Sequence, residues 1–121
     1  MDETDCGFPQ KERLRKRREF LVVYKRGTKV QAAYFVLYIL ENNLPHHRLG
    51  VTVSRKIGPS VVRNRIKRQL REVFRRNKRA ISTPCDVVVN AKRSAATSSS
   101  EKTQEDLLGA FDRWQRRGQE T

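Results

Sequence analysis

The sequence predicts an α/β fold, an α+β sandwich of two layers in which helices pack on one small sheet. Three observations predict it. Apolar residues recur at helical spacing in some segments and alternate at strand spacing in others, and the run Val87-Val88-Val89 suits a strand covered on both faces. A chain of 121 residues fits one domain, and a hydrophobic fraction of 36% is enough for one modest core. No apolar run approaches the ~18 residues of a membrane-spanning helix. The expected element order is α-β-β-α-β-α. Residues 11–118 are expected to form the domain, with 1–10 a disordered leader and 119–121 a tail.

The first helix is expected over 17–26, with Phe20 and Tyr24 one turn apart on one face and Gly27 as the C′ stop. Residues 30–40 read as a strand. Tyr34, Val36, Tyr38 and Leu40 share one face of it, and Phe35, Leu37 and Ile39 the other. Glu41-Asn42-Asn43-Leu44-Pro45 supplies turn chemistry. A second strand, 48–54, places Leu49, Val51 and Val53 opposite Gly50, Thr52 and Ser54, and the two strands are expected to pair as an antiparallel hairpin.

Gly58-Pro59-Ser60 opens a second helix that runs to about residue 78, with Val62, Ile66, Leu70, Val73 and Phe74 as its buried stripe. Residues 86–91 form the third strand, so a crossover connection joins the strands on either side of that helix. The serine-rich patch 94–100 is a linker, and Ser98 with Glu101 is expected to cap a last helix. Leu107, Leu108, Phe111 and Trp114 turn toward the core.

Charge narrows the function. The net charge is +14, and residues 11–79 hold 21 Lys and Arg against four acids, Glu12, Glu19, Glu41 and Glu72. Such a balance calls for a polyanionic partner. A membrane surface would want bulky apolar residues opposite the bases, but here the core needs the apolar faces. Nucleic acid is favoured. Cys6 and Cys85 lie far apart with no histidine at ligand spacing, so reduced thiols are expected, not a disulfide or zinc site. His46 and His47 sit together beside Pro45, and adjacent side chains on an extended segment point apart. The opening Met1-Asp2-Glu3-Thr4-Asp5 has no apolar stretch of a secretory signal, so a cytoplasmic location is expected.

Residues 63–76 carry seven bases and one acid, Glu72. At about 100° per residue, Asn64, Arg68, Arg71 and Arg75 fall on one stripe opposite the apolar face, with Arg63 and Lys67 on one flank and Arg65 on the other. Like charges at this spacing cost a helix a few tenths of a kcal/mol per pair, so the density has a use. Guanidinium groups grip phosphate in a bidentate fork, and Asn64 can reach a base edge or a 2′-hydroxyl. The helix start near Ser60 offers free N–H groups to a further phosphate or a metal-bound water. The competing reading is a solvated charged face, against which the imbalance of sign argues.

The stretch Ser54-Arg55-Lys56-Ile57-Gly58-Pro59-Ser60-Val61-Val62-Arg63-Asn64-Arg65-Ile66-Lys67-Arg68-Gln69-Leu70-Arg71-Glu72 resembles the signature of the bacterial ribonuclease P protein family, with its RNR motif. The resemblance extends from about Arg13 to Trp114. Arg13-Leu14-Arg15, Glu19-Phe20, Gly27, Phe35-Val36-Leu37-Tyr38 and Leu49-Gly50-Val51-Thr52-Val53-Ser54 match in order. Two positions depart from the pattern. Tyr24 stands where Phe is common, and Pro59-Ser60 replaces a polar-Ala pair.

The resemblance implies an accessory subunit of an endoribonuclease whose catalyst is RNA, which removes the 5′ leader of precursor tRNA. It implies a left-handed βαβ crossover, against the usual right-handed rule. By the same resemblance Arg55, Lys56, Arg63, Asn64, Arg65, Lys67, Arg68 and Arg71 contact the catalytic RNA. Phe20, Tyr24, Val36 and Tyr38 form a cleft for the leader, where bases stack on rings for about 1–3 kcal/mol each. The alternative for these rings is simple core packing. Magnesium is expected on RNA phosphates, with no catalytic residue or metal ligand in the protein. The catalytic RNA and precursor tRNA are the expected partners, with no membrane or protein partner required. Competing functions are a ribosomal or general RNA-binding protein, a helix-turn-helix DNA reader and a protein-only nuclease.

Overall fold

Alternating burial along the strands divides this protein's apolar residues between two sides of one sheet. The computed structural model describes residues 10–119. It contains helices α1 (Arg17–Arg26), α2 (Ser60–Asn77) and α3 (Ser100–Gln119), and strands β1 (Thr28–Gln31), β2 (Phe35–Glu41), β3 (Arg48–Thr52) and β4 (Cys85–Ala91). Short 3-10 turns lie at Gln10–Glu12, Arg55–Ile57, Lys78–Ala80 and Arg93–Thr97. The expectations for residues 1–9, Cys6 included, and for 120–121 fall outside the described residues. Gln119 is still helical.

Phe35, Leu37, Ile39, Val87 and Val89 project from one face of the sheet onto Ile66, Leu70, Val73 and Phe74 of α2 and Leu107, Ala110 and Phe111 of α3. On the other face, Val88 packs with Leu14 and with Val23 of α1. The α2 stripe is therefore the buried one, with Val62 half-buried at its start. In α3, Leu107 and Phe111 are buried, and Leu108 and Trp114 half-buried.

The sheet order is β1-β2-β4-β3, which corrects the expected hairpin. β2 pairs antiparallel with β4, and β3 pairs parallel with β4, so β4 separates the two strands predicted to be partners. The physical reason lies in β4 itself. Val87, Val88 and Val89 are all fully buried, and in a small sheet only an interior strand is covered on both faces and both edges.

The predicted 30–40 strand is two strands, β1 and β2, paired antiparallel. Residues 32–34 leave the ladder because Asp106 of α3 accepts the backbone N–H groups of Ala33 and Tyr34, each at 2.8 Å. A distant carboxylate thus stabilises a turn that Ala32-Ala33-Tyr34 does not advertise.

Three end signals also read differently. Gly27 has extended backbone angles (φ −78°, ψ 166°), not a left-handed cap. Its smallness serves a close approach, since a Cβ there would lie 2.6 Å from the Val23 carbonyl oxygen and 3.1 Å from that of Ile39. β3 stops at Thr52, two residues before the predicted end. The helix cap is Ser99, whose Oγ accepts the Lys102 N–H at 3.1 Å. Ser98 is buried instead, donating its hydroxyl to the Ala95 carbonyl at 3.0 Å.

Candidate nucleic-acid interface

Burial of the apolar stripe fixes the rotation of α2 and turns its opposite side outward. Asn64 and Arg68 are exposed there, with Lys67 half-buried beside them, and none of the three side chains makes a hydrogen bond or ion pair with the described residues. Arg55 and Lys56 are exposed on the turn that leads into the helix. Glu72, the one acid of the segment, is occupied by Arg75 at 2.5 Å and Arg76 at 2.9 Å. The hydrogen bond from Arg75 holds its carboxyl below the usual range.

Three of the predicted contacts are engaged within the protein. Arg63 donates from Nε to the Gly58 carbonyl at 3.1 Å, bracing the turn before the helix. Arg65 donates to the carbonyls of Ala96 and Ser98, the latter at 3.4 Å, and so ties α2 to the segment that precedes α3. Arg71 lines a concavity with Arg13, Arg15, Phe20, Leu49 and Val51, on the β3 side of α1. Helical spacing placed Arg71 on the stripe and Arg63 and Arg65 on its two flanks, but their lengths let them reach different neighbours.

The second candidate surface lies between α1 and the sheet. Pairing registers place Tyr38, Val88 and Gly50 in one row across β2, β4 and β3, and Val36, Asn90 and Thr52 in the next. Phe20 covers Gly50 so closely that a Cβ there would stand 2.6 Å from its Cζ. The Tyr24 and Tyr38 rings meet edge to face, with centroids 4.8 Å apart. Phe20, Tyr24, Val36 and Tyr38 are each half-buried. The rings pack on Val88, Val23 and Leu14 and still present surface.

A polar cluster sets the position of α1, and sequence reasoning missed it. Glu19 Oε1 accepts the N–H groups of Lys16 at 3.0 Å and Arg15 at 3.2 Å, capping the helix start. Its Oε2 accepts Arg48 Nη1 at 3.1 Å. Arg48 also grips Asp86 with both arms of its fork, at 2.9 and 2.6 Å, and Asn42 donates to the same carboxylate at 2.7 Å. Backbone donation from Lys16, aided by Arg15 and Arg48, keeps the Glu19 carboxyl below its ordinary range. Asp86 raises the Arg48 guanidinium in turn. A charge at the first position of β3 and another directly before the valine run of β4 were the available signals.

Asn90 was missed as well. It follows three buried valines, and its Oδ1 accepts the Tyr24 hydroxyl at 2.9 Å. His47 lies away from both surfaces. Its ring stands against Phe74, Nε2 donates to the Lys78 carbonyl at 3.1 Å, and Nδ1 accepts the Cys85 N–H at 3.2 Å. Burial lowers the His47 pKa, and burial raises that of the Cys85 thiol to about 12. Among the described residues, no group of three or more His, Cys, Asp or Glu could hold a metal ion, and no helix is long and apolar enough to cross a membrane.

Residues 8–115 match the sequence profile of the family described as Ribonuclease P. The ribonuclease P protein component of Thermotoga maritima is 48% identical over 83 residues, which cover 69% of this chain and 71% of that protein. The ribonuclease P protein component of Desulfatibacillum aliphaticivorans is 41% identical over 107 residues, covering 88% and 91%. Among solved structures, the Staphylococcus aureus RNase P protein superposes with a TM-score of 0.77 at 35% identity, over 84% of this chain and 93% of that one. The Thermotoga maritima RNase P protein gives 0.77 at 39% identity, over 84% and 96%.

Proposed function

The chain belongs to the ribonuclease P protein family, and from that premise we propose that it grips the catalytic RNA through α2 and receives the 5′ leader of precursor tRNA beneath α1. As a protein component of ribonuclease P it is an RNA-binding subunit that serves tRNA processing. The finer assignment divides the labour. Arg68, Lys67 and Asn64, with Arg55 and Lys56, meet RNA phosphates and sugars, because their side chains are not spent on the protein itself. Arg63 and Arg65 shape that surface while contributing their remaining donors to it. Arg71 belongs nearer the leader cleft, where it stands with Phe20, Arg13 and Arg15.

In the cleft, unpaired leader bases stack on Phe20, Tyr24 and Tyr38, with Val36 beside them. Cleavage is carried out by the RNA, which leaves the protein an accessory role. The carboxylates of the helix segment and of the cluster under α1 do not favour a catalytic magnesium held by the protein, since Glu72 is committed to Arg75 and Arg76, and Asp86 and Glu19 to Arg48. Magnesium in this reading rests on RNA phosphates, and no step runs through a protein ligand. The complex works in the cytoplasm with the catalytic RNA and precursor tRNA as its partners, and needs neither a membrane nor another protein.

One observation carries the reading: an exposed basic helix face and a half-open aromatic cleft coexist on one small domain. The test is reconstitution with a catalytic RNA. Adding the protein should raise affinity for precursor tRNA with a leader and leave that for mature tRNA unchanged. An equal gain for both would reduce the protein to a general RNA binder.

A further inference from the structure

Stacking on aromatic rings accepts any base, since every base has a π-face. The far row of the cleft is built differently. There β2 contributes Val36, β4 Asn90 and β3 Thr52, all near the end of the sheet where β3 and β4 exit. The turn Arg55–Ile57 and the start of α2 follow β3 at that same end, and the turn Arg93–Thr97 follows β4 and packs against them. The polar row thus lies at the side of the cleft that leads toward the RNR helix.

Asn90 is half-buried, and its amide is oriented by a single bond: the Tyr24 hydroxyl donates to Oδ1 at 2.9 Å. That bond takes up the phenol proton and engages the amide through its oxygen. Nδ2 then has no hydrogen-bond partner among the described residues, and the Tyr24 oxygen keeps a lone pair. A fixed donor and a fixed acceptor stand side by side within the aromatic cleft. Either group covered by a stacked base that offers nothing to it loses its water without compensation.

We propose that Asn90, positioned by Tyr24, is a specificity-determining residue that reads one base of the leader through its Nδ2 donors. Every base carries an acceptor beside a donor on its pairing edge, at offsets that differ from base to base, and the favoured base is the one whose pair meets Nδ2 and the Tyr24 oxygen together. The inference rests on the cleft being the leader site and adds base selectivity to it. The phenol hydroxyl at position 24, which a Phe there would lack, has a use beyond stacking: it holds the amide in register.

The test uses holoenzyme reconstituted with the full chain, and precursor tRNAs in which each leader position carries each of the four bases in turn, with mature tRNA as control. The wild type should prefer some bases over others at one position by about 3- to 10-fold, the worth of one net hydrogen bond. Asn90→Val should flatten the preference at that position, and Tyr24→Phe, which keeps the ring and frees the amide, should weaken it in the same place. A leader-dependent gain with a flat profile in the wild type would overturn this proposal and leave the cleft reading standing. So would an uneven profile unchanged by both variants, the outcome expected if the Tyr24–Asn90 bond only satisfies a buried hydroxyl. No difference between precursor and mature tRNA would overturn the cleft reading and this proposal with it.

Discussion

Along α2 the groups suited to RNA come from one continuous helix, whereas those of the cleft come from α1, β2, β3 and β4. The helix face needs only a correct rotation, which the apolar stripe supplies, and its exposed members stand apart from the fold's own bonds. The cleft exists only if α1 is held at one height over the sheet. Glu19, Arg48, Asp86 and Asn42 fix that height, and Gly50 permits Phe20 to approach. A surface built on one helix tolerates loss elsewhere in the molecule, and one built across four elements does not.

The contrast can be broken at the cluster under α1. Asp86→Ala leaves the partly buried Arg48 fork without its carboxylate and should cost about 2–3 kcal/mol of stability, read by denaturant unfolding. Leader affinity should fall further than affinity for the catalytic RNA. Equal losses would mean that α1 is held by packing alone.

A smaller effect sharpens the α2 side. Arg68→Ala should lower affinity for the catalytic RNA and reduce the slope of log K against log salt by about 1, with unfolding unchanged. Arg65→Ala should lower the unfolding temperature as well, because it releases the Ala96 and Ser98 carbonyls. If Arg65→Ala left stability untouched, its bonds to the α3 linker would be of no consequence.

The smallest effect concerns the anchor of the C-terminal end of α2. Burial lowers the His47 pKa, and its ring accepts from the Cys85 N–H and donates to the Lys78 carbonyl. Its folded pKa lies below 6.5, so between the two values the unfolded chain binds the proton that the folded one refuses. Stability should be full above pH 6.5 and decline as pH falls below it, and His47→Gln should flatten that decline. A decline of equal depth in the variant would assign the acid sensitivity to other groups.

The difference between the two surfaces also governs what the sequence made legible. The extents of α1 and α2, the α2 stripe and the alternating faces of β2 follow from periodicity within one segment, and all were readable. The strand order was not, because the edge on which a buried strand lands depends on packing with the rest of the sheet. The break after Gln31 depends on Asp106, more than seventy positions away. In the candidate site, the exposed positions Asn64 and Arg68 were visible as a helical stripe. The engagement of Arg63 and Arg65 was not, since spacing fixes where a Cβ points and not where a long side chain ends. Asn90 left one trace, a polar residue closing a valine run, which gains meaning only beside Tyr24.

In the proposed division of labour two separate surfaces carry two separate RNAs, and crossing two variants separates them. Holoenzymes made with Phe20→Ala or Arg68→Ala would be compared for binding of the protein to the catalytic RNA and for the affinity ratio between leader-bearing and mature tRNA. Phe20→Ala should lower the ratio by about tenfold, the worth of one stacked base, and leave assembly with the RNA intact. Arg68→Ala should weaken assembly and leave the ratio intact once the complex is saturated. If each variant damaged both properties alike, the two surfaces would be one and the division of labour would fail.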